Sequence, residues 1–286
     1  MKILYLTKGN HVDYQDDCLF LGLRELFGSS VVDYNKRSHN YSSYNEEAIK
    51  NLYGMGMTVT RILQDIDVDR TDITSKIKNK YYDLIVYGSI WRCNDCLDKV
   101  LEYYPANKVI AVDGEDEQTI HRAANSGILY FKRELNFKKD RIHPISFAIP
   151  TSKVNFNKIK TKDFSYITPL DKSTYIYKNE KDYYKDYNDS QFGVTLKKAG
   201  WDCMRHYEIL GNGCIPYFLY LDKCPLYTMT SFPKELCLKV TSQLKTNSPE
   251  KVYEELIDSF ETHVLNNNTT KALATYFINT ISSYEA

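Results

Sequence analysis

The residue types best suited to binding and chemistry gather in one stretch of this 286-residue chain, KKAGWDCMRHYEILGNGCIPYF, from Lys197 to Phe218. Glycine is typical where a helix ends, so Gly211 predicts the end of a helix that opens at Trp201 or Asp202. Asp202 is a candidate N-cap, because its carboxylate can accept hydrogen bonds from the free amides of the first turn. The apolar residues that follow predict a short buried strand.

Basic side chains and a glycine at the start of this helix favour the capture of an anion. Gly200 would let backbone amides approach a phosphate, and the helix dipole favours negative charge at that end. Lys198 and Arg205 add countercharge, and an arginine can grip a phosphate with two parallel hydrogen bonds. Glu208, almost one turn further on, suits the vicinal hydroxyls of a ribose. The same residues also fit an ordinary helix with an Arg–Glu surface pair.

The segment YEILGNGCIPYF, continuing from DSQFGVTLKKAGWDCMRHYE, resembles the nucleotide-sugar-binding segment of GT-B glycosyltransferases of the exostosin-like and family-1-like types. The resemblance extends over residues 186–235. It implies an α/β fold with two Rossmann-like domains that face a cleft. Residues 1–150 would form the N-terminal acceptor-side domain and residues 164–286 the C-terminal nucleotide-sugar-binding domain. The basic, polar residues 151–163 would be the linker.

The resemblance also implies which residues hold a nucleotide diphosphate sugar, the donor substrate. The candidates for that site are Lys198, Gly200, Trp201, Asp202, Arg205, His206 and Glu208. Arg205 and Lys198 would bind the diphosphate, and Glu208 would hold the ribose. Enzymes of this architecture do not generally require a metal, so no cofactor is expected. The pair of glutamates typical of retaining enzymes is absent, because the matching positions on either side of Glu208 are Gly200 and Pro216. Retention and inversion of the configuration at the anomeric carbon therefore both stay open.

The first 150 residues begin with a strand, a loop, a helix and a strand, the opening of a doubly wound α/β domain. Residues 3–7 predict a buried strand, and residues 14–27 predict a helix closed by a glycine. Ligands of such sheets bind beyond the carboxyl ends of the strands. The candidate catalytic residues at these ends are Asp13, His11 and Asp113, one of which would orient or deprotonate the acceptor. A solvated loop is the alternative interpretation of His11 and Asp13, and a cap of the next helix is the alternative for Asp113.

Apolar periodicity predicts further elements along the chain. Strands are predicted at residues 83–88, 109–112, 128–131, 145–149 and 192–196. Helices are predicted at residues 59–66, 73–77, 118–124, 249–260 and 270–281, with another beginning near Lys234. The polar residues 36–56 predict a mobile loop over the cleft or an insertion. The GT-B resemblance implies that the last helix folds back on the first domain.

Charge and composition argue against several classes of protein. Lys+Arg and Asp+Glu balance at 37 each, unlike proteins that coat nucleic acid by bulk charge, although residues 132–162 hold nine Lys/Arg against two acids. No run approaches the roughly 20 apolar residues of a membrane span. The N-terminus becomes polar too quickly for a signal peptide, and seven scattered cysteines favour reduced thiols. A cytoplasmic protein without a membrane span is therefore expected.

Two short acidic stretches are possible metal-binding sites. The residues from Asp113 to Asp116, and the triplet Asp67-x-Asp69, could hold a divalent cation, but such groups arise easily in acidic loops. Cys93-x-x-Cys96 lacks the second pair or the histidines that a zinc site needs. None of these patterns predicts a resident metal.

The sequence predicts a glycosyltransferase that moves a sugar from a nucleotide diphosphate sugar to a hydroxyl of a glycan or small molecule. A modified DNA base is an alternative acceptor, favoured only by the basic residues 132–162. A non-catalytic nucleotide- or sugar-binding module is the other alternative, because the glutamate pair is absent and the chain is short. The sequence does not indicate the sugar, the base of the donor or the oligomeric state.

Overall fold

Two parallel β-sheets organise residues 1–284, which are the residues that the computed structural model describes. Strands β1 to β6 are Ile3–Leu6, Val31–Asp33, Leu84–Tyr87, Val109–Asp113, Leu129–Lys132 and Ile142–Pro144. Strands β7 to β9 are Lys162–Phe164, Ser190–Leu196 and Ile215–Leu219. Helices α1 to α9 are Tyr14–Phe27, Glu46–Ile49, Ile73–Lys78, Leu97–Tyr103, Glu180–Asp189, Met204–Gly211, Lys234–Gln243, Pro249–Asn267 and Thr270–Ser282.

The first sheet has six strands in the order β2-β1-β3-β4-β5-β6, and the second has three in the order β7-β8-β9. Every pair of neighbouring strands within these two sheets is parallel. The predicted α/β class is confirmed. Two parallel sheets are also compatible with the Rossmann-like character that the resemblance implies.

The first strand shows why the first sheet is apolar on both faces. Ile3 and Tyr5 belong to the core formed with α1 and α9, whereas Leu4 and Leu6 belong to the core formed with α3 and α4. Parallel strands covered on both sides read as continuous apolar runs, because no side chain of the strand faces water. This packing explains the run that predicted β1.

The last helix returns to the first half of the chain, as the resemblance implies. Gly22 in α1 has no room for a side chain, because a Cβ would lie 1.9 Å from the carbonyl oxygen of Thr270. The Thr270 hydroxyl donates a hydrogen bond to Glu25 in the same helix. Just before this contact, the backbone amide of Ile149 donates to Asn268 at 2.8 Å. The prediction that the last helix folds back on the first part of the chain is confirmed.

Residues 59–66 do not form the predicted helix. The amide of Arg61 donates to the carbonyl of His39, and the amide of Leu63 donates to that of Asn40, both at 2.8 Å. The segment therefore pairs with an earlier part of the chain. Its β-branched residues already lower its helix propensity, and the long-range pairing decides the structure.

Two other predictions are also wrong. Residues 145–149 follow the short strand β6 without extending it, because the Ile149 backbone pairs with residues 268–270. Residues 118–124 contain no α-helix, only the start of a short 3₁₀ turn over Arg122–Ser126. That turn begins after His121, whose ring nitrogen accepts a hydrogen bond from Ala123. The prediction of a helix at 14–27 is confirmed at both ends, and Asp13 caps it.

Candidate functional site

A cavity of about 620 Å³ opens where the two halves of the chain meet. Strands of both sheets lead into it: Tyr14 follows β1, Asp116 follows β4, Ile167 follows β7 and Lys198 follows β8. Helix α6 lines it with Met204, Arg205 and Glu208. The carboxyl ends of parallel strands are where such sheets usually bind ligands, so this cavity is the candidate site.

Helix α6 begins at Met204, slightly later than the sequence predicts. Its N-cap is Cys203, which makes no side-chain capping hydrogen bond. The carboxylate of Asp202 instead accepts a hydrogen bond from the backbone amide of Phe147, in the first half of the chain, at 2.8 Å. The prediction of Asp202 as N-cap is wrong, because its carboxylate accepts from this distant amide and not from the amides of the first turn. The predicted helix end at Gly211 is confirmed.

Three basic side chains line the cavity without a carboxylate partner. Within residues 1–284, no acidic oxygen lies within 4.0 Å of the charged nitrogens of Lys178, Lys198 or Arg205. The half-buried guanidinium of Arg205 has no hydrogen-bond partner for its Nε in that part of the chain, and its centre lies 4.9 Å from the centre of the Tyr175 ring. The Lys198 ammonium lies 5.6 Å from the same ring. Unpaired cations that converge on a concave surface favour an anionic ligand.

Glu208 lines the same cavity, but only 5% of its surface is exposed. One oxygen of its carboxylate accepts a hydrogen bond from the hydroxyl of Thr58, and the other accepts one from Tyr183 at 2.6 Å. Burial raises the pKa of this carboxyl group, although both hydrogen bonds and the charge of Arg205 oppose the rise. The carboxylate predicted to hold a ribose is therefore engaged with donors of the protein itself.

Gly200 lies against two carboxylates of the first half of the chain. A Cβ at this position would lie 2.5 Å from Glu134 and 2.9 Å from Asp116, so the glycine accommodates these side chains. The next residue but one, Asp202, donates its amide to the Glu134 carboxylate at 2.9 Å. Gly200 also lines the cavity, and the approach of a phosphate to its backbone amide stays a prediction. Countercharge in the cavity comes from side chains.

Asp202 itself is a buried carboxyl group without a side-chain cation on its oxygens. Burial raises its pKa to about 7, although the nearby charge of Arg133 opposes the rise. The Arg133 guanidinium contacts the Asp202 carbonyl oxygen, Asp116 and Glu134, and it lies 4.6 Å from the centre of the Phe147 ring. These contacts join the loop before α6 to the first half of the chain.

His206 and Trp201, two further predicted donor-site residues, do not line the cavity. His206 is fully buried, with its two ring nitrogens 2.8 Å from the Thr195 hydroxyl and 2.9 Å from the Trp201 carbonyl oxygen. Burial lowers the pKa of this imidazole to about 3, so it is neutral. Trp201 is half-buried against the core. The prediction for His206 is corrected, because its polar atoms are already hydrogen-bonded in the interior.

Asp13 and His11 lie at the carboxyl edge of the first sheet, before the cavity-lining Tyr14. The Asp13 carboxylate caps α1 and also accepts hydrogen bonds from Ser89 at 3.0 Å and from Arg92 at 2.7 Å. His11 is exposed, and partial burial together with the charge of Arg92 lowers the pKa of its imidazole. Asp13 thus serves the helix, and the His11 ring is exposed, but neither residue lines the cavity itself.

Asp113, the third candidate catalytic residue, is fully buried. Its carboxylate accepts hydrogen bonds from Lys132 and Trp91, each at 2.9 Å, and from the Tyr130 hydroxyl. The Glu115 amide is a fourth donor at 3.1 Å. The prediction of Asp113 as an acceptor-activating base is corrected, because these donors enclose the fully buried carboxylate and no substrate oxygen can reach it in this arrangement.

Sequence reasoning missed the aromatic part of the site. Five tyrosines line the cavity, namely Tyr14, Tyr53, Tyr175, Tyr177 and Tyr183. The abundance of tyrosine, 25 in the chain, is the only signal that could have found them, and abundance does not say which ones converge. Lys178 was also missed, because it lies among residues without apolar periodicity, where no element could be predicted.

Residues 1–284 contain no cluster of three or more His, Cys, Asp or Glu side chains arranged to hold a metal ion. They also contain no helix that is both long and apolar enough to span a bilayer. The seven cysteines are free thiols, and of the Cys93-x-x-Cys96 pair only Cys96 is exposed.

Comparison with known proteins does not assign a family. No protein-family model matches the chain, and no curated protein matches it. A functional proposal must therefore rest on the residues of the cavity.

Proposed function

We propose that the protein is a glycosyltransferase with a GT-B-like arrangement, which transfers a sugar from a nucleotide diphosphate sugar to a hydroxyl acceptor. The observation that carries this proposal is the group of three cations in one cavity, Lys178, Lys198 and Arg205, none with a carboxylate partner within residues 1–284. A diphosphate carries the charge that would pair with them. The tyrosines around them offer faces on which a base or a sugar can stack.

The architecture supports the same proposal. Both parallel sheets direct the carboxyl ends of strands at the cavity, and the last helix packs on α1 as the GT-B resemblance implies. In this scheme residues 1–150 supply the acceptor side and residues 164–286 supply the donor side. The segment of residues 151–163 connects them, although its last two residues already belong to β7.

The transfer step would form a bond between the acceptor oxygen and the anomeric carbon while the bond from that carbon to the diphosphate oxygen breaks. The leaving diphosphate carries the developing negative charge, and the stabilisation of such charge usually contributes most to catalysis. Arg205 and Lys198 would supply it, with the guanidinium held against Tyr175. His11, neutral at pH 7 because its pKa is lowered, would take the proton of the acceptor hydroxyl.

The first experiment measures thermal unfolding with UDP, GDP, ADP, CDP and dTDP, and with the matching sugar diphosphates. A ligand at 100 times its dissociation constant adds about 2.7 kcal/mol to the free energy of unfolding, so one base family should raise the midpoint. Arg205→Met should abolish this rise, whereas Lys158→Ala should keep it. Lys158 is a suitable control because it is ion-paired with Asp258 on the outer surface at 2.7 Å. A flat response across the panel would refute the donor site.

The non-catalytic alternative needs a second measurement. Wild-type protein is incubated with the stabilising sugar diphosphate, and release of the nucleoside diphosphate is followed with and without glycan or small-molecule acceptors. Release that depends on His11, lost in His11→Ala, indicates transfer chemistry. Binding without release in either condition would leave a binding module and refute the enzyme.

A further inference from the structure

Residues 52–58, here called the 52–58 segment, extend from the first half of the chain and form one wall of the cavity. Four of its residues have left-handed backbone angles: φ is 60° at Gly54, 55° at Met55, 62° at Gly56 and 76° at Thr58. Glycine tolerates such angles, but a β-branched residue such as threonine does so only under strain. Backbone strain of this kind persists where other contacts enforce it, and it concentrates at functional sites.

The contacts that enforce it lie in the second half of the chain. The Thr58 side chain is fully buried and donates its hydroxyl proton to the carboxylate of Glu208. The hydroxyl oxygen of Thr58 also accepts a hydrogen bond from the Tyr184 hydroxyl at 2.8 Å, and the Thr58 amide donates to Glu180 at 2.6 Å. All three partners belong to α5 or α6, so the strained residue links the two sides of the cavity.

The hydrogen bond from Thr58 affects which ligand groups can bind to the Glu208 carboxylate. The carboxylate is 5% exposed and accepts one hydrogen bond from Thr58 and one from Tyr183. Glu208 and five residues of the 52–58 segment, namely Leu52, Tyr53, Gly54, Met55 and Met57, line the same cavity, so the carboxylate and the segment face the same ligand. The Thr58 hydroxyl itself has the geometry of an alcohol donating to a carboxylate, which is the contact that a ribose would make.

We infer that the 52–58 segment is a gate, and that Thr58 occupies on Glu208 the place that a ribose hydroxyl of the nucleotide takes when the gate withdraws. This inference rests on the proposed function and adds its regulation. Ligand binding then exchanges one hydroxyl for another on the same carboxylate. It also releases the strained backbone, which offsets part of the cost of opening.

The anchors of the segment suit such a motion. Its C-terminal end is fixed, because the Asn40 side chain donates to the Val59 carbonyl oxygen at 2.9 Å and Arg61 donates to His39. The other end carries Tyr53, which is 71% exposed, followed by two glycines. Movement of the segment would break the hydrogen bond from the Thr60 hydroxyl to the Gly56 carbonyl oxygen, but it would leave the contacts of Asn40 and Arg61 in place.

The test compares Thr58→Val, which keeps the shape and removes the hydroxyl, with Thr58→Ser, which keeps the hydroxyl. Affinity for the nucleoside diphosphate selected from UDP, GDP, ADP, CDP and dTDP is measured by calorimetry. Removal of a competing hydrogen bond to a charged group should tighten binding about tenfold in Thr58→Val, and Thr58→Ser should bind like the wild type. Unchanged or weaker binding in Thr58→Val would overturn the gate.

Hydrogen exchange of the backbone amides, followed by mass spectrometry, gives an independent readout. Exchange at residues 52–58 should become faster when the nucleotide binds to the wild-type protein, the reverse of the usual protection by a ligand. Binding that leaves this exchange unchanged or slows it would overturn the gate alone. Absence of binding by all five nucleotides, in both variants and the wild type, would overturn the donor site and the gate together.

Discussion

Two arginines, Arg37 in the first half of the chain and Arg205 in the second, are used in opposite ways. Arg37 is fully buried, and its guanidinium is ion-paired with Asp16 and Asp17 while its Nε donates to Asn40 at 3.1 Å. Arg205 is half-buried, faces the cavity and has no acidic partner within residues 1–284. Arg37 completes a buried network, whereas Arg205 leaves its Nε without a hydrogen-bond partner within residues 1–284.

The comparison separates a charge that is paired within the fold from one that faces a cavity. Burial of a charge is costly, and a protein compensates with partners of opposite sign, as it does for Arg37. The half-buried guanidinium of Arg205 has no ion-pair partner within residues 1–284, and its nearest compensation is the Tyr175 ring and the longer-range charge of Glu208. Its position is explained best by a partner that comes from outside.

Two carboxyl groups extend the comparison. Burial alone would raise the pKa of Asp17, but the charges and hydrogen bonds of Arg37 and His39 outweigh it and lower the pKa to about 2. Asp202 has no cation on its oxygens, so burial raises its pKa to about 7. The paired side chain is ionised at neutral pH, whereas the cavity side chain is close to its titration point.

The largest effect is expected from Arg37→Met. The substitution leaves two buried carboxylates without their cation, and breaking a buried pair in this way costs about 3–5 kcal/mol of unfolding free energy. Arg205→Met is the matched variant and should cost no more than about 1 kcal/mol, the scale of the lost contact with Tyr175. Urea denaturation measures both. Equal losses in the two variants would remove the distinction between the arginines.

The pH dependence of stability should differ in sign between the two carboxyl groups. Between its ordinary pKa of 3.8 and about 7, Asp202 is ionised in the unfolded chain but protonated in the fold, so wild-type stability falls as the pH rises. Asp202→Asn lacks this loss and should gain up to about 4 kcal/mol relative to the wild type across that window. Denaturation at a series of pH values measures the difference.

Asp17→Asn is the control for that experiment. The Asp17 carboxylate stabilises the fold above pH 3.8, and its contribution is lost as the pH falls towards 2. The variant should therefore be less stable than the wild type at neutral pH, by about 2 kcal/mol, and the gap should close in acid. If the unfolding free energies of Asp17→Asn and Asp202→Asn changed with pH in the same way, the two carboxyl groups would not have pKa values shifted in opposite directions.

The smallest effect is expected from Lys198→Ala. An exposed lysine in the cavity should contribute about threefold to the affinity for a nucleoside diphosphate at low salt, and less as the ionic strength rises. Titrations at two salt concentrations measure this dependence. A loss of similar size in Lys158→Ala, outside the cavity, would mean that the protein attracts nucleotides only through its general surface charge.

Local signals in the sequence were sufficient for some elements and not for others. Helix α1 was predicted at both ends, because its apolar periodicity and the following Gly28 lie within one segment. Residues 59–66 were mispredicted because their hydrogen bonds go to His39 and Asn40. A short window of sequence does not contain that information.

The candidate site divides in the same way. Arg205 and Lys198 could be chosen from one motif, and the structure brings them to one cavity with Glu208. Thr58 could not be chosen, because 150 positions separate it from Glu208. His206 was chosen wrongly, since the same helix that presents Arg205 to the cavity turns His206 into the core. Spacing along a helix does not reveal which face is covered.

The return of α9 to α1 has a consequence for biosynthesis. Thr270 and Glu25, which are hydrogen-bonded, stand 245 positions apart, so the ribosome completes the first sheet long before it delivers the helix that covers α1. Until then, the groove at Gly22 that receives the Thr270 backbone is uncovered. Growing chains usually fold their early parts first, but here the early part stays unfinished until translation has passed the final helix. A nascent chain halted before residue 270 would present this groove to chaperones.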